Sequence, residues 1–263
     1  MTCNDPYVKA LRAAGYNVIR LPRADVRPLQ LLAKAGDSLD RIGDLTAVLL
    51  AGPNIALPAV KENTRVASVS GQRTGDLSAG IGLSILGSII GAMGGSTIGL
   101  DVTYRQAKSV TFVLEDVFED RVDITLLDQY LANGDVSPFA AYVGKLLDAD
   151  RLYVTTATLK STKVSVETRR SQGSDLDVSL PEIRNVVGGN VKVGGKGDST
   201  SKVTYEGSIP LVFGFQAAQL FYDKGRYERF KVLRDGASLE SAPPGEPDSP
   251  LLNEGPFVRF GEL

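Results

Sequence analysis

Histidine is absent from all 263 residues, and cysteine occurs once. Without an imidazole there can be no Ser-His-Asp triad, no Cys-His dyad, no haem proximal ligand and none of the common zinc sites. A single cysteine, Cys3, excludes an intrachain disulfide and every CxxC motif. Excess positive charge is also missing. The net charge is −2 and the isoelectric point near 5.4, the opposite of the basic field that a nucleic-acid binder carries. The first 20 residues lack the apolar run of a signal peptide and carry Asp5, Lys9, Arg12 and Arg20, so cytosolic synthesis is expected. Residue 2 is Thr, where N-myristoylation requires Gly. Carboxylate chemistry, lysine chemistry or no chemistry at all remains.

With 43% hydrophobic and 23% charged residues, the chain can bury a real core. Residues 5 to 16 predict a short helix, with Asp5 as N-cap, Pro6 at the first helical position and Gly15 as the stop; the strand NVIRL follows. Leu29 to Ala33, Leu39, Ile42 and Val48 to Leu50 predict short core segments, broken by Pro28, Gly36, Gly52, Pro53 and Pro58.

Leu77 to Leu100 is unusual. These 24 residues carry no charge and divide into 12 apolar residues and 12 Gly, Ser or Thr. As a helix the segment would just span a hydrocarbon core of roughly 30 Å, yet half of its side chains are small or polar. Gly87, Gly91, Gly95 and Gly99 recur every fourth residue, a stripe that lets helices approach closely. At period two, Ile81, Leu83, Ile85, Ile89 and Met93 share one face, with Gly82, Ser84, Ser88, Ala92 and Gly94 on the other. Both periods fit, and such a conflict between local signals marks functional segments. The plain alternative is a buried glycine-rich helix.

Asp101 to Phe118 alternates as a half-buried strand. Residues 121 to 132 follow helical spacing up to Gly134. Ser137-Pro138 then predicts an N-cap and first turn, opening a helix that buries Phe139, Val143, Leu146 and Leu147. From Arg151 come five alternating runs, LYVTTATL, KVSVE, DLDVSL, NVKV and SKVTYE, in which Val164, Val166, Val191 and Val193 oppose Lys163, Glu167, Lys192 and Lys202. An antiparallel sheet with one wet face has this pattern. So does a transmembrane barrel, with lipid and lumen as the two surroundings. Ile209 to Tyr222 is almost continuously apolar and predicts a central strand buried on both faces; Lys224, Arg226, Arg229, Lys231 and Arg234 follow. The last stretch is rich in Pro, Gly and acidic residues and ends in the apolar residues Leu251, Leu252, Phe257, Val258 and Phe260.

Catalytic motifs fail on spacing. VGGKGDST resembles a phosphate loop, but the glycine needed five residues before Gly195-Lys196 is Asn190, so a hairpin tip is the better reading. The carboxylate pairs Glu115/Asp116 and Glu119/Asp120 are expected to form a solvated turn rather than an acid and base.

The uncharged Gly/Ile/Ser segment, the alternating strands on either side of two helices, the strand IPLVFGFQAAQLFY and a short detachable tail together resemble the gasdermin family, in its bacterial branch. AGYNVIRLPR and PLQLL near the N-terminus are similar too, and Cys3 matches the family's N-terminal palmitoylation cysteine. The resemblance implies an α+β fold: a twisted, largely antiparallel sheet with packed helices, a pore-forming body at 1–238 and a linker with an autoinhibitory peptide at 239–263. It implies no enzyme, no nucleic-acid partner and no cofactor beyond a covalent palmitate on Cys3. The intact protein would be a cytoplasmic monomer. A caspase-like protease would cut near Arg234, Leu239, Glu240 or Asp248, releasing Leu251, Leu252, Phe257 and Phe260 from the body. The body would then oligomerise on lipid at the inner membrane and kill the cell in antiphage defence. Residues 67 to 114 and 152 to 206 would insert, led by Ile81, Leu83, Ile85, Ile89, Met93, Val164, Val166, Val191 and Val193. The alternative is a soluble α+β binding or scaffold protein with a buried glycine helix.

Overall fold

The computed structural model describes residues 11–35, 38–52, 55–74, 109–169, 191–197, 200–223, 226–233 and 259–262. A helical turn at 11–13 ends at Gly15, whose φ of +81° suits glycine best. Strand β1 (Asn17–Arg23) follows, then the antiparallel pair β2 (Gln30–Ala35) and β3 (Ser38–Asp44), and the single turn α1 (Leu45–Val48) with β4 (Leu49–Leu50). Next come β5 (Val60–Arg65) and β6 (Val69–Thr74), then β7 (Ser109–Glu115) and β8 (Phe118–Val122). The alternating stretch predicted to end at Phe118 is therefore two strands, broken where Asp116 adopts a φ of +49°.

Helix α2 (Ile124–Ala132) starts three residues later than its spacing predicts, because Arg121 and Val122 are still paired in β8. Asp123 caps it, accepting from Thr125 N at 2.8 Å and Leu126 N at 3.1 Å. Gly134 follows because a Cβ there would lie 2.7 Å from the Leu49 side chain. The short strand β9 (Asp135–Val136) pairs with β4, and α3 (Ala141–Asp148) completes the helical layer. Ser137 does not open α3. Its N–H extends the β4–β9 pairing by donating to Val48 O, so the helix begins at Ala141 and Phe139 projects outward, 95% exposed. Val143, Leu146 and Leu147 are buried as predicted.

Two long strands carry the rest: β10 (Leu152–Arg169), which fuses two of the predicted runs, and β12 (Thr200–Asp223), which fuses SKVTYE with the apolar run. They pair antiparallel from Tyr153↔Gln219 to Arg169↔Thr200. Each takes three partners along its outer edge. From base to distal end β10 meets β2, β8 and β7, while β12 meets β13 (Arg226–Leu233), β1 and β11 (Val191–Gly197). Gly197 pairs with Thr200, as a hairpin requires. Strand β14 (Arg259–Glu262) lies parallel to β3 at the far edge. Among the described residues, twelve strands form this one sheet.

At the base the sheet is covered on both faces. Leu31, Val154, Ala218 and Leu220 pack with α1, α2 and α3, while Leu32, Tyr153, Phe215 and Ala217 pack with Ile19 and Val26. That double cover explains the uncharged run at 211–220; the predicted run begins two residues earlier, at Ile209, which is 60% exposed.

Candidate functional site

Beyond the base, β6, β7, β10, β12 and β11 form a distal sheet in which alternation becomes rows. Val69, Leu114, Val164, Tyr205 and Val191 stand opposite one another in one row. Gly71, Phe112, Val166, Val203 and Val193 form a second row. Between them runs Ser70, Val113, Ser165, Thr204 and Lys192, and beyond them Gln72, Thr111, Glu167, Lys202 and Gly194. Residues directly opposite share a face, so four of the sequence-predicted inserting residues, Val164, Val166, Val191 and Val193, are brought together. Ile81, Leu83, Ile85, Ile89 and Met93 lie outside the described residues, as do Cys3 and the 170–190 segment.

The last described strand covers another edge of the sheet. Arg259 pairs with Ser38, Phe260 with Leu39, Gly261 with Asp40 and Glu262 with Arg41, so the last described residues act as an added strand on β3. Leu251, Leu252 and Phe257 are outside the described residues, and so are Arg234, Leu239, Glu240 and Asp248.

Of the carboxylates expected to form solvated turns, Asp116 is exposed at a bend, whereas Glu119 and Asp120 are not solvated. Glu119 and Asp120 are both buried, one toward each face, because adjacent strand residues point in opposite directions. Asp120 accepts from Lys160 Nζ at 2.5 Å and from Asn63 N at 2.8 Å; Glu119 accepts from Arg121 Nη2 at 2.6 Å and from the Tyr16 hydroxyl. Burial, then the hydrogen bond to Glu119, pushes the Tyr16 hydroxyl well above its ordinary pKa. A Cβ at Gly214 would lie 3.1 Å from that of Tyr16, and Gly214, Leu159 and Glu119 form one cross-strand row. Tyr16 therefore spans β12, β10 and β8. The available signal was the alternation itself, since two neighbouring acids in a strand cannot share a wet face. Glu115 and Asp116 are ion-paired near the surface, with Lys163 and Arg65 respectively, each at 2.9 Å. These are structural ion pairs, and among the described residues no group of acids, Cys or His could hold a metal.

Residues 19–226 match the Bacterial Gasdermin Family model. The chain belongs to the bacterial gasdermin family. It is 53% identical, over 99% of each chain, to a gasdermin from a Desulfuromonadales bacterium. It is 38% identical to a gasdermin from Lysobacter enzymogenes, covering 91% of this chain and 89% of that one. A bacterial gasdermin from Bradyrhizobium tropiciagri has the same fold, with a TM-score of 0.57, 16% identity and coverage of 100% of this chain and 98% of that one. Gasdermin membership makes the protein a pore-forming effector rather than an enzyme. No helix among the described residues is long and apolar enough to cross a membrane, which says nothing about crossing by strands.

Proposed function

We propose that this gasdermin is held inactive by its C-terminal peptide and is activated by proteolysis in the 234–250 linker. Supporting this is the pairing of β14 along β3. An edge strand presents unpaired N–H and C=O groups, and covering it denies that edge to a second copy of the chain. Pro243, Pro244, Gly245 and Pro247 in the linker favour an extended, protease-accessible backbone. Residues after Leu239 carry a net charge of −4, so their loss turns the chain from −2 to +2. A cationic body gains about 1 kcal/mol per basic residue held near anionic lipid.

The freed bodies assemble on the inner membrane, and the distal rows supply strands of a barrel. Strands can enter lipid only as a closed barrel, because open edges leave backbone groups unsatisfied, so insertion and ring assembly are coupled. A caspase-like protease makes the cut, and the outcome is death of the infected cell. Cys3 carries a palmitate, each buried CH₂ of which adds about 0.8 kcal/mol. The intact mass of protein made in bacteria checks this: one added palmitoyl group is expected, and an unmodified chain that kills as strongly as a palmitoylated one rejects it.

The decisive experiment compares full-length protein with a chain ending at Leu239 on anionic liposomes. The shorter chain is expected to release trapped dye and the longer one not to. A shorter chain that is folded, monomeric on those liposomes and harmless in cells overturns autoinhibition.

A further inference from the structure

Four strand paths lead from the base of the sheet to its distal part, and all four are interrupted at one level. The path from β5 to β6 passes through Val66–Ser68, with Val66 N donating to Val117 O at 3.0 Å. The path from β7 to β8 breaks at Asp116–Val117, where Asp116 has a φ of +49°. In β10 the partners jump from Ser161↔Leu211 to Lys163↔Glu206, so residue 162 alone faces residues 207–210 of β12. Just below, β5 carries its own bulge between Lys61 and Thr64, with Asn63 at a φ of +55°. Above this level pairing is regular: Lys163–Arg169 run against Ser109–Glu115 and against Thr200–Glu206 without a register shift.

The seam is held by side chains. Ser161 is fully buried in the middle of it, and its Oγ lies 2.6 Å from Glu115 O, accepts Lys163 N at 2.9 Å and lies 2.9 Å from Lys163 O. One hydroxyl thus ties the backbone of β7 at Glu115 to that of β10 at Lys163 across the break in register. Lys163–Glu115 and Arg65–Asp116 bridge the same level on the outside, and the nearly buried pair Lys160–Asp120 lies below it. Bulges bend and twist the strands that carry them. A single bulge does so locally, whereas four interruptions in line let one half of a sheet turn against the other while each half keeps its own pairing.

We infer that this seam is a hinge about which the distal sheet turns as a unit, with Ser161 as the pin that holds it in the intact protein. Between the two paired stretches β12 has three more residues than β10, roughly 10 Å of slack at strand spacing, and turning takes up that slack. The role of the hinge in membrane entry rests on the pore-forming reading above; the hinge itself does not.

Hydrogen exchange on the intact full-length protein in solution tests the hinge without any membrane. In Ser161→Ala, amides at the seam, 66–68, 116–118, 161–163 and 207–209, are expected to exchange about tenfold faster, with the paired stretches 152–160 and 164–169 unchanged. Lys163→Gln, which removes an outer bridge and leaves Ser161 in place, is expected to show the same pattern more weakly, and it carries the test if Ser161→Ala does not fold. Acceleration of the paired stretches as large as that of the seam, or none at the seam, overturns the hinge. On liposomes, protease-cut Ser161→Ala is expected to release dye several-fold faster than cut wild type. Equal release rates beside the altered exchange pattern overturn the part in membrane entry. Cut wild type that releases nothing would instead sink the pore-forming reading, and the exchange pattern would still decide the hinge.

Discussion

The base of β12, Leu211 to Leu220, carries no charge, whereas its distal end places Lys202 and Glu206 within seven residues that alternate with Val203 and Tyr205. The first stretch sits between two hydrophobic clusters, one beneath the helices and one beneath the N-terminal strand, so both of its faces call for apolar side chains. The second is paired on both edges by β10 and β11, and its residues fall into alternating apolar and polar rows. One strand therefore serves two kinds of sheet. A face that needs cover at all times is built at the base; a face that can exchange its surroundings while keeping its partners is built at the distal end. On the pore-forming mechanism proposed above, the base would stay folded and the distal end would change environment.

The largest effect expected from this contrast is on stability. Phe215 is fully buried in the cluster beneath the N-terminal strand, so Phe215→Ala should cost about 3–5 kcal/mol through lost transfer energy and the cavity left behind. Val193→Ala lies on β11, whose partner among the described strands is β12, and it should cost less than half of that. Urea unfolding midpoints of the two variants make the comparison. Equal losses would mean that the distal sheet is as much a part of the permanent core as the base.

Much of this contrast was legible in the sequence, because periodicity records how many faces are covered. Within the run at 209 to 222, residues 211–220 are doubly covered as predicted, and the alternation of KVSVE, NVKV and SKVTYE announced the rows. LYVTTATL, expected to have one wet face, is instead buried on both faces at 152–159, and DLDVSL lies outside the described residues. Local patterning fails where a tertiary partner decides. Ser161-Thr162 looks like a break between two strands and is instead an irregularity inside one, since β7 and β12 continue the pairing past it. Ser137-Pro138 has the chemistry of a helix start, but the Ser137 N–H is taken by Val48 O, which leaves Phe139 outside the buried stripe. The register of a four-residue strand such as β14 on β3 carries no signal in its own sequence.

A smaller effect, on function rather than folding, is expected at the distal rows. Val166 stands opposite Phe112 and Val203 in an apolar row. Val166→Asp places a charge there, at about 2–3 kcal/mol per subunit if that row meets the middle of a bilayer. The penalty recurs in every subunit of a ring, so dye release by the protease-cut variant should be lost. A soluble, cut and fully leaking Val166→Asp would show that this row never faces lipid, and the rows would then be ordinary sheet patterning.

The smallest effect concerns Tyr16, which ties the base together just below the seam. Its hydroxyl donates to Glu119, and Glu119 keeps Arg121 Nη2 at 2.6 Å when that donor is removed, so Tyr16→Phe should cost only about 1 kcal/mol near neutral pH. The pH dependence is more telling. Burial and the hydrogen bond raise the folded-state pKa of Tyr16 above the 10.0 of a free tyrosine. The folded chain therefore retains a proton that the unfolded chain gives up, and stability falls as pH climbs above about 10. Tyr130 and Tyr222, raised by burial, add to that slope, so Tyr16→Phe should reduce it without removing it. Urea unfolding at neutral pH and at several values above about 10 measures the slope for both proteins. An unchanged slope would show that the tyrosine hydroxyl is neither buried nor held by Glu119 in solution. Because Tyr16 reaches only across the base row Gly214, Leu159 and Glu119, any faster amide exchange in the variant belongs at 152–160 and not at 163–169. Acceleration confined to 163–169 would place Tyr16 on the distal side of the contrast.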